Sequence, residues 1–195
     1  MHRQYRFSHV TERYLDSFQC ILSDMIQGMT SAEESCSISQ NFIVQMIPHH
    51  RAAIEMSENL LQYTTCIPLQ DIAESIIAEQ TKSIENMQKI LCTCQNMTNC
   101  TPELLEYRRQ TECIMQTMFS EMGIARSTNN INGNFMREMI PHHQGAIRMS
   151  RNALQYPICR ELVPILQAII TSQERGVMQM QRLLRGLPRG AGNCC

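Results

Sequence analysis

The residues best suited to chemistry form a five-residue motif that occurs twice in the chain. Met-Ile-Pro-His-His stands at residues 46–50 and again at residues 139–143. At about 100° per residue of helix, the two histidines lie about 60° and 40° to either side of the methionine. One helix face would therefore present a thioether and two imidazoles, which are metal ligands. The first-choice ligands are Met46, His49, His50, Met139, His142 and His143.

The donor types at this spacing favour copper over other metals. Di-iron helical bundles use Glu-x-x-His, with the two side chains one turn apart, whereas methionine fills the glutamate position in this chain. A thioether shifts the preference away from iron and manganese toward Cu(I), and imidazole also accepts Cu(II). Zinc would prefer cysteine or carboxylate beside histidine. The predicted cofactor is copper, with Cu(I) favoured over Cu(II).

Other methionines and one glutamine also recur at matching positions. A methionine on an apolar helix stripe is more often core packing than a ligand, so these thioethers rank below the motif. They are Met25, Met29, Met56, Met87, Met118, Met122, Met149 and Met180. Gln80 and Gln173 lie within otherwise apolar stripes, and a buried amide needs a partner. Each could accept an imidazole N–H and fix a histidine tautomer, or it could instead bridge two helices.

The motifs belong to a unit that is repeated in tandem. A shift of 93 residues aligns residues 14–91 with 107–184 without a gap, and 31 of these positions are identical. Each copy is small for an independent core, so we expect the two to pack together. The predicted domains are a first repeat at 1–91, a cysteine-rich linker at 92–102, a second repeat at 103–184 and a mobile tail at 185–195.

Each copy predicts three helices, and no segment has the alternation of a strand, so the fold class is all-α. In the first copy, the first helix carries an apolar face from Tyr14 to Met29, and the third carries one from Leu69 to Leu91. The second runs from about Phe42 to Tyr63, after an N-cap at Asn41. Pro48 either lies inside this helix and removes one backbone hydrogen bond, or it begins the helix.

Composition excludes several classes of protein. Hydrophobic residues make up 43% of the chain and charged residues 18%, which is typical of a globular protein, and the net charge of −1 excludes a basic nucleic-acid-binding surface. No apolar stretch is long enough to span a bilayer. No apolar signal region follows the start, so we expect a cytoplasmic location with reduced thiols. The expected partner is a metal ion, without nucleic acid or membrane, and a homo-oligomer stays open.

The ten cysteines fall into two sets. Cys20 and Cys66 match Cys113 and Cys159, so Cys20–Cys66 and Cys113–Cys159 disulfides are one alternative under oxidising conditions, although sequence does not determine connectivity. The other six have no aligned cysteine. Among them, Cys92-x-Cys94 and the terminal Cys194–Cys195 pair could capture a thiophilic metal or remain unpaired thiols.

The motif and its surroundings resemble a known family. The sequence MIPHH-x-x-AI-x-MS, with Gln80-x6-Met87 about 30 residues later, is similar to the domain-of-unknown-function-305 family of ferritin-like proteins. The resemblance covers both copies. It implies a ferritin-like helical bundle and, as in some members, copper binding through methionine and histidine. The family as a whole has no established reaction.

These observations lead to one principal hypothesis of function and two alternatives. The first is a non-enzymatic protein that binds or buffers copper at one Met/His site per copy. The second is a structural or partner-binding helical bundle in which the methionines are adaptable core. The third is a ferritin-like redox enzyme, against which the missing Glu-x-x-His argues in its iron form. No ordered nucleophilic triad and no phosphate-binding glycine loop are present.

Overall fold

The computed structural model describes residues 7–94 and 96–186, and these residues form six helices. No strand occurs within them, which confirms the predicted all-α class. The helices are α1 His9–Thr30, α2 Ile38–Leu61, α3 Ile67–Cys94, α4 Thr101–Gly123, α5 Ile131–Ala153 and α6 Leu162–Gly186. We call α1 to α3 the first half of the molecule and α4 to α6 the second half.

The apolar stripes read from the sequence are the buried faces of the helices. Residues three and four apart lie on one side of a helix, so a stripe at that spacing packs into the core. In α1 the buried residues include Tyr14, Phe18, Leu22, Met25 and Met29. In α3 they include Leu69, Ile72, Ile76, Gln80 and Met87, and in α6 Leu162, Leu166, Ile169, Gln173, Val177 and Met180.

Helix α2 begins earlier than its sequence predicts. Ser37 caps it, and the predicted N-cap, Asn41, lies inside the first turn and is buried. The Asn41 side chain turns back to the preceding loop, where its Oδ1 accepts from the Ser35 amide at 2.7 Å and its Nδ2 donates to the Ser35 carbonyl at 3.1 Å. Asn134 bonds Thr128 in the same way before α5. These asparagines therefore anchor the loop rather than cap the helix.

Both motif prolines lie inside their helices, which settles the alternative that the sequence leaves open. Each removes one backbone hydrogen bond, because proline has no N–H. Next to Pro48, α1 presents Gly28, and a Cβ at that position would lie 2.8 Å from the Cβ of the proline. The absence of a side chain at Gly28 thus lets α1 pack closely against the motif of α2.

The two motif helices are the centre of the bundle. Helix α2 packs against α1, α3 and α5, while α5 packs against α4, α6 and α2, and α3 also contacts α6. The buried apolar residues of both halves form one continuous cluster. The halves therefore share a core, with the two histidine pairs on helices that face each other.

The element boundaries shorten the predicted linker. Helix α3 continues to Cys94 and α4 begins at Thr101, so the connecting segment is shorter than the predicted 92–102. Arg185 and Gly186, predicted as the start of a mobile tail, are the last residues of α6. The remainder of that predicted tail lies outside the described residues.

Within the described residues, a disulfide links the two halves. Cys94, at the end of α3, bonds Cys159, in the loop before α6, with their Cα atoms 5.3 Å apart. The proposed Cys20–Cys66 and Cys113–Cys159 pairs are wrong, because Cys20 and Cys113 are exposed thiols on α1 and α4. The expectation of reduced thiols is wrong for the bonded pair, which also removes Cys94 from the predicted Cys92-x-Cys94 metal site. Cys194 and Cys195 lie outside the described residues.

Candidate metal centre

The four motif histidines form one cluster between α2 and α5. All four are buried, with at most 2% of any side chain exposed. The rings of His49 and His142 are stacked, with their centroids 3.7 Å apart and their planes at 27°. The ring of His50 lies 5.9 Å from that of His49, and the ring of His143 lies 5.9 Å from that of His142.

The stacked pair is held by two reciprocal hydrogen bonds. His49 Nε2 lies 3.2 Å from the carbonyl oxygen of His142, and His142 Nε2 lies 3.1 Å from the carbonyl oxygen of His49. A carbonyl oxygen can only accept, so Nε2 must carry the proton in both rings. In a neutral ring the other nitrogen, Nδ1, then keeps a lone pair. The main chain of each half thus fixes the tautomer of the opposite histidine.

Burial keeps these imidazoles neutral. Loss of hydration, added to the charge of His142, lowers the pKa of His50 to about 3, and loss of hydration lowers the pKa of His142 to about 4. Burial and the neighbouring histidines also lower the pKa of His49 and of His143. Neutral imidazole is the form that ligates metals, so little proton release would accompany binding at pH 7.

Each of the four rings has a nitrogen without a partner. The Nδ1 atoms of His49, His50, His142 and His143 are buried and form no hydrogen bond. A buried polar atom left unpaired costs free energy, and native cores contain few of them. Four such atoms in one cluster are well suited to a ligand that accepts lone pairs, and a metal ion is such a ligand.

The two outer histidines have different neighbours in the two halves. His50 Nε2 is 3.1 Å from the hydroxyl of Ser83 on α3. The position equivalent to Ser83, 93 residues on, is Gly176 on α6. A Cβ at Gly176 would lie 3.0 Å from both Cδ2 and Nε2 of His143. His143 therefore packs against the helix backbone where His50 meets a hydroxyl.

All ten candidate methionines are buried, each with at most 2% of its surface exposed. Met46 and Met139 lie one turn before the histidines on the two central helices. The position of one sulfur is fixed closely, since a Cβ at Gly145 of α5 would clash with the Met118 sulfur. The structure thus places the predicted thioethers in the interior, while the direct ring contacts join the histidines to one another.

The predicted hydrogen bonds from histidine to glutamine are not made. Gln80 and Gln173 are buried as expected, yet the side-chain oxygen of each has no hydrogen-bond partner. The stacked histidines donate to main-chain carbonyls, and His50 contacts Ser83, so these Nε2 atoms do not need the amides. Instead, both glutamines line cavities between α3 and α6.

Sequence reasoning missed a buried carboxylic acid near the cluster. Tyr14 of α1 donates its hydroxyl hydrogen to Glu138 Oε2 of α5 at 2.7 Å. Burial raises the pKa of Glu138 to about 7. Glu138 has no acidic counterpart in the first repeat, where Gln45 takes the equivalent position. Its position four residues before His142, on the buried face, is the signal that could have identified it.

The donor set limits which metals fit. Within residues 7–94 and 96–186, no group of three or more histidine, cysteine, aspartate and glutamate side chains is arranged to hold a metal ion. A metal in this core would need methionine sulfur beside histidine nitrogen. The residues present fit a soft metal, because neutral imidazoles and buried thioethers are the donor types that this core supplies. The fold and the site together define the class of protein as a helical bundle whose interior is rich in sulfur and nitrogen donors.

Comparison with known proteins gives the family. The model of the family described as "Domain of unknown function (DUF305)" matches residues 39–184, and the chain belongs to this family. No curated protein has significant sequence similarity to it. Among the described residues, no helix combines the length and apolar character needed to cross a membrane.

Two solved structures share the fold. One, described as "CopM in the Cu(II)-bound form", is 25% identical, with a TM-score of 0.57 over 76% of this chain and 96% of that one. The other is a DUF305 fragment from Deinococcus radiodurans, 20% identical, with a TM-score of 0.56 over 80% of this chain and 99% of that one. The second likeness concerns the fold alone.

Proposed function

We propose that this protein binds and buffers copper, with Cu(I) favoured, at one Met/His site in each half. The observation that carries the proposal is the set of four buried, neutral imidazoles whose Nδ1 atoms lack any partner. They lie in a core that also holds ten buried methionines. Nitrogen and sulfur donors without competing protons are the ligands that Cu(I) prefers.

The proposed ligands follow from the tautomers. His49 would bind through Nδ1, because its Nε2 donates to the opposite backbone, and His50 also has Nδ1 unpaired. Met46, one turn earlier on α2, is the first thioether candidate. Met25, Met29, Met56 and Met87 are the further candidates in this half. Met139, His142, His143, Met118, Met122, Met149 and Met180 are the equivalents in the second half.

Copper is supported over harder metals by the shortage of buried acids. Glu138 is the one acidic side chain that is buried among the described residues. With its pKa raised to about 7, it is about half protonated at pH 7 and mostly protonated below that, and it is already bonded to Tyr14. Iron and manganese sites in helical bundles need several carboxylates. The likeness to CopM, whose solved form holds Cu(II), agrees with copper.

Anaerobic titration with Cu(I) against a competing chelator tests the proposal. We expect about two sites in the unaltered protein, and a protein with both His49→Gln and His50→Gln should lose one. Glutamine is used since it keeps polarity at a buried position. His9→Gln, which removes an imidazole whose side chain is 94% exposed, is the matched control and should leave both sites. An unchanged number of sites in the double variant would contradict the assignment.

A structural role without metal is the second candidate, and the stacked histidines favour it. The reciprocal hydrogen bonds of His49 and His142 join α2 to α5 and would hold the halves together in the absence of any ligand. Thermal unfolding separates the two functions. A ligand that binds only the folded state raises the melting temperature with its concentration. Copper buffering therefore predicts that the melting temperature rises with added Cu(I), whereas a purely structural role predicts no change in the melting temperature.

We propose binding rather than catalysis, and this part of the proposal rests on the absence of an ordered nucleophile, acid and base in the sequence. Metal-dependent turnover of oxygen or peroxide by copper-loaded protein would contradict it. The cytoplasmic location stays a prediction from the sequence. The Cys94–Cys159 disulfide argues for an oxidising compartment instead, since such bonds are rare in the cytosol.

A further inference from the structure

A cleft between α3 and α6 leads from solvent to one histidine of the cluster. It has a volume of about 670 Å³, and His50, Gln80 and Gln173 are among the residues that line it. A second cavity between the same helices reaches His143 and is also lined by both glutamines. Its volume is only about 20 Å³, which is about the space of one water molecule. The two halves therefore differ in access.

Residues that line these cavities have buried polar atoms without hydrogen-bond partners. Gln80 and Gln173 are only 4% and 3% exposed, and the side-chain oxygen of each is unpaired. His50, which lines the wider cleft, also has a buried and unpaired Nδ1. Carbonyl oxygens are poor ligands for Cu(I) compared with thioethers. Such oxygens could hold a cation briefly before it reaches sulfur and nitrogen donors.

The charged residues that line the cleft are Glu79, Lys82 and Arg175, and both basic side chains are paired with carboxylates. Arg175 of α6 pairs with Glu79 of α3 at 3.0 Å, and Lys82 pairs with Glu85 at 3.5 Å. Glu79 and Arg175 line both cavities, so their ion pair lies between the two routes. Because both side chains are partly exposed, the pair is weak and can open readily.

We propose that copper enters and leaves through the α3–α6 cleft at His50, with the side-chain oxygens of Gln80 and Gln173 as transient ligands. The site of the first half then exchanges copper faster than the site of the second half. This inference rests on the proposed copper-binding function, because it assigns a route to those same sites.

Two exposed positions 93 residues apart allow a matched test. Ala168 lines the wide cleft, and its equivalent, Ser75, lines the small cavity at His143. The protein is loaded with Cu(I) without oxygen and mixed with excess chelator, and the transfer is followed by stopped-flow absorbance. We expect a fast and a slow phase. Ala168→Trp should slow the fast phase at least tenfold, whereas Ser75→Trp should change it less than twofold.

Further variants keep the test decisive. Thr171→Trp, at a second exposed position of the cleft, replaces Ala168→Trp if the latter does not fold. Gln80→Leu removes one oxygen and should slow the fast phase while the number of bound Cu(I) stays at two. Equal rates in the Ala168 and Ser75 variants, with two Cu(I) bound, would overturn the route alone. A protein that binds no Cu(I) would overturn the proposed function as well.

Discussion

The two halves of the molecule agree at the stacked histidines and differ immediately around them. His49 and His142 make equivalent hydrogen bonds, each to the other's carbonyl oxygen. One layer further out, Ser83 contacts His50, whereas Gly176 brings bare backbone against His143. The difference teaches that the cluster itself is symmetric while its surroundings are not. The surroundings therefore set how much space lies beside each outer histidine.

A second difference concerns the hydrogen bonds between the halves. Tyr14 of the first half bonds Glu138 of the second half. The equivalents in the reverse direction are Tyr107 and Gln45. These two do not bond each other, because the glutamine side-chain oxygen has no hydrogen-bond partner. One tyrosine thus has a strong acceptor that titrates near neutral pH, and the other does not.

The largest expected effect is acid instability of the metal-free protein, to which the histidines of both halves contribute. A histidine whose folded pKa lies below 6.5 loses stability as pH falls, because the unfolded state takes up the proton first. Each of the four contributes up to about 1.4 kcal/mol per pH unit below pH 6.5, down to its own lowered pKa. Glu138, whose pKa is raised, changes stability with pH in the opposite direction and offsets the contribution of one histidine. The unfolding free energy should therefore fall by about 4 kcal/mol per pH unit on acidification near pH 5.5.

Chemical denaturation at pH 5, 5.5, 6 and 7 measures this slope. His50→Gln and His143→Gln should each reduce it by about 1.4 kcal/mol per pH unit. Equal reductions would show that the outer histidines are buried equally well despite their different neighbours. A slope that neither variant changes would contradict the claim that these rings are neutral in the folded state.

The next largest effect is expected when Glu138 is replaced by its counterpart. The pKa of Glu138 is raised in the folded state, so its protonated form is stabilising below pH 4.5, and this stability is lost as pH rises toward 7. Glu138→Gln removes the titration while leaving an acceptor for Tyr14. The variant should therefore gain about 1–3 kcal/mol relative to the unaltered protein between pH 5 and pH 8.

Unfolding free energies at those two pH values test this prediction, with Gln45→Glu as the reciprocal variant. If Tyr107 is suitably placed, Gln45→Glu should gain the same pH dependence that Glu138→Gln loses. A constant difference between Glu138→Gln and the unaltered protein at both pH values would show that Glu138 is not the buried titrating acid.

The smallest effect concerns the neighbours of the outer histidines. Ser83→Gly removes the hydrogen bond to His50 and adds a glycine to a helix, so it should cost about 1–2 kcal/mol. Gly176→Ser forces His143 to shift, because the new Cβ would lie 3.0 Å from its ring, but the added hydroxyl offers a partner. We expect a net change below about 1 kcal/mol. In the Ser83→Gly variant, nitrogen NMR of the histidine rings would detect a change of tautomer at His50 but not at His49.

Much of the fold could be predicted from local patterns. The stripe from Tyr14 to Met29 and that of α3 are the buried faces, since helical spacing alone decides which side of a helix is apolar. The start of α2 could not be predicted from the sequence, because asparagine and serine are equally good N-cap residues, so residue type does not separate Asn41 from Ser37. What decided between them is a loop contact with Ser35, which is visible only in three dimensions.

The candidate site was predicted in composition but not in arrangement. The motif gives the histidines and the burial of Met46, while nothing in the spacing indicates that His49 would stack on His142. That contact depends on how α2 packs against α5, which a sequence pattern does not specify. The same holds for the Cys94–Cys159 disulfide, whose partners lie in different halves and have no common spacing signal.

The exchange of hydrogen bonds between His49 and His142 has a consequence for the order of events during synthesis. When α2 has left the ribosome, the carbonyl group that will orient its first histidine has not yet been made. The imidazole is then free to rotate and to carry its proton on either nitrogen. The tautomer that leaves Nδ1 of His49 unpaired is defined only once α5 has docked, so a nascent first half would lack the finished arrangement of this imidazole.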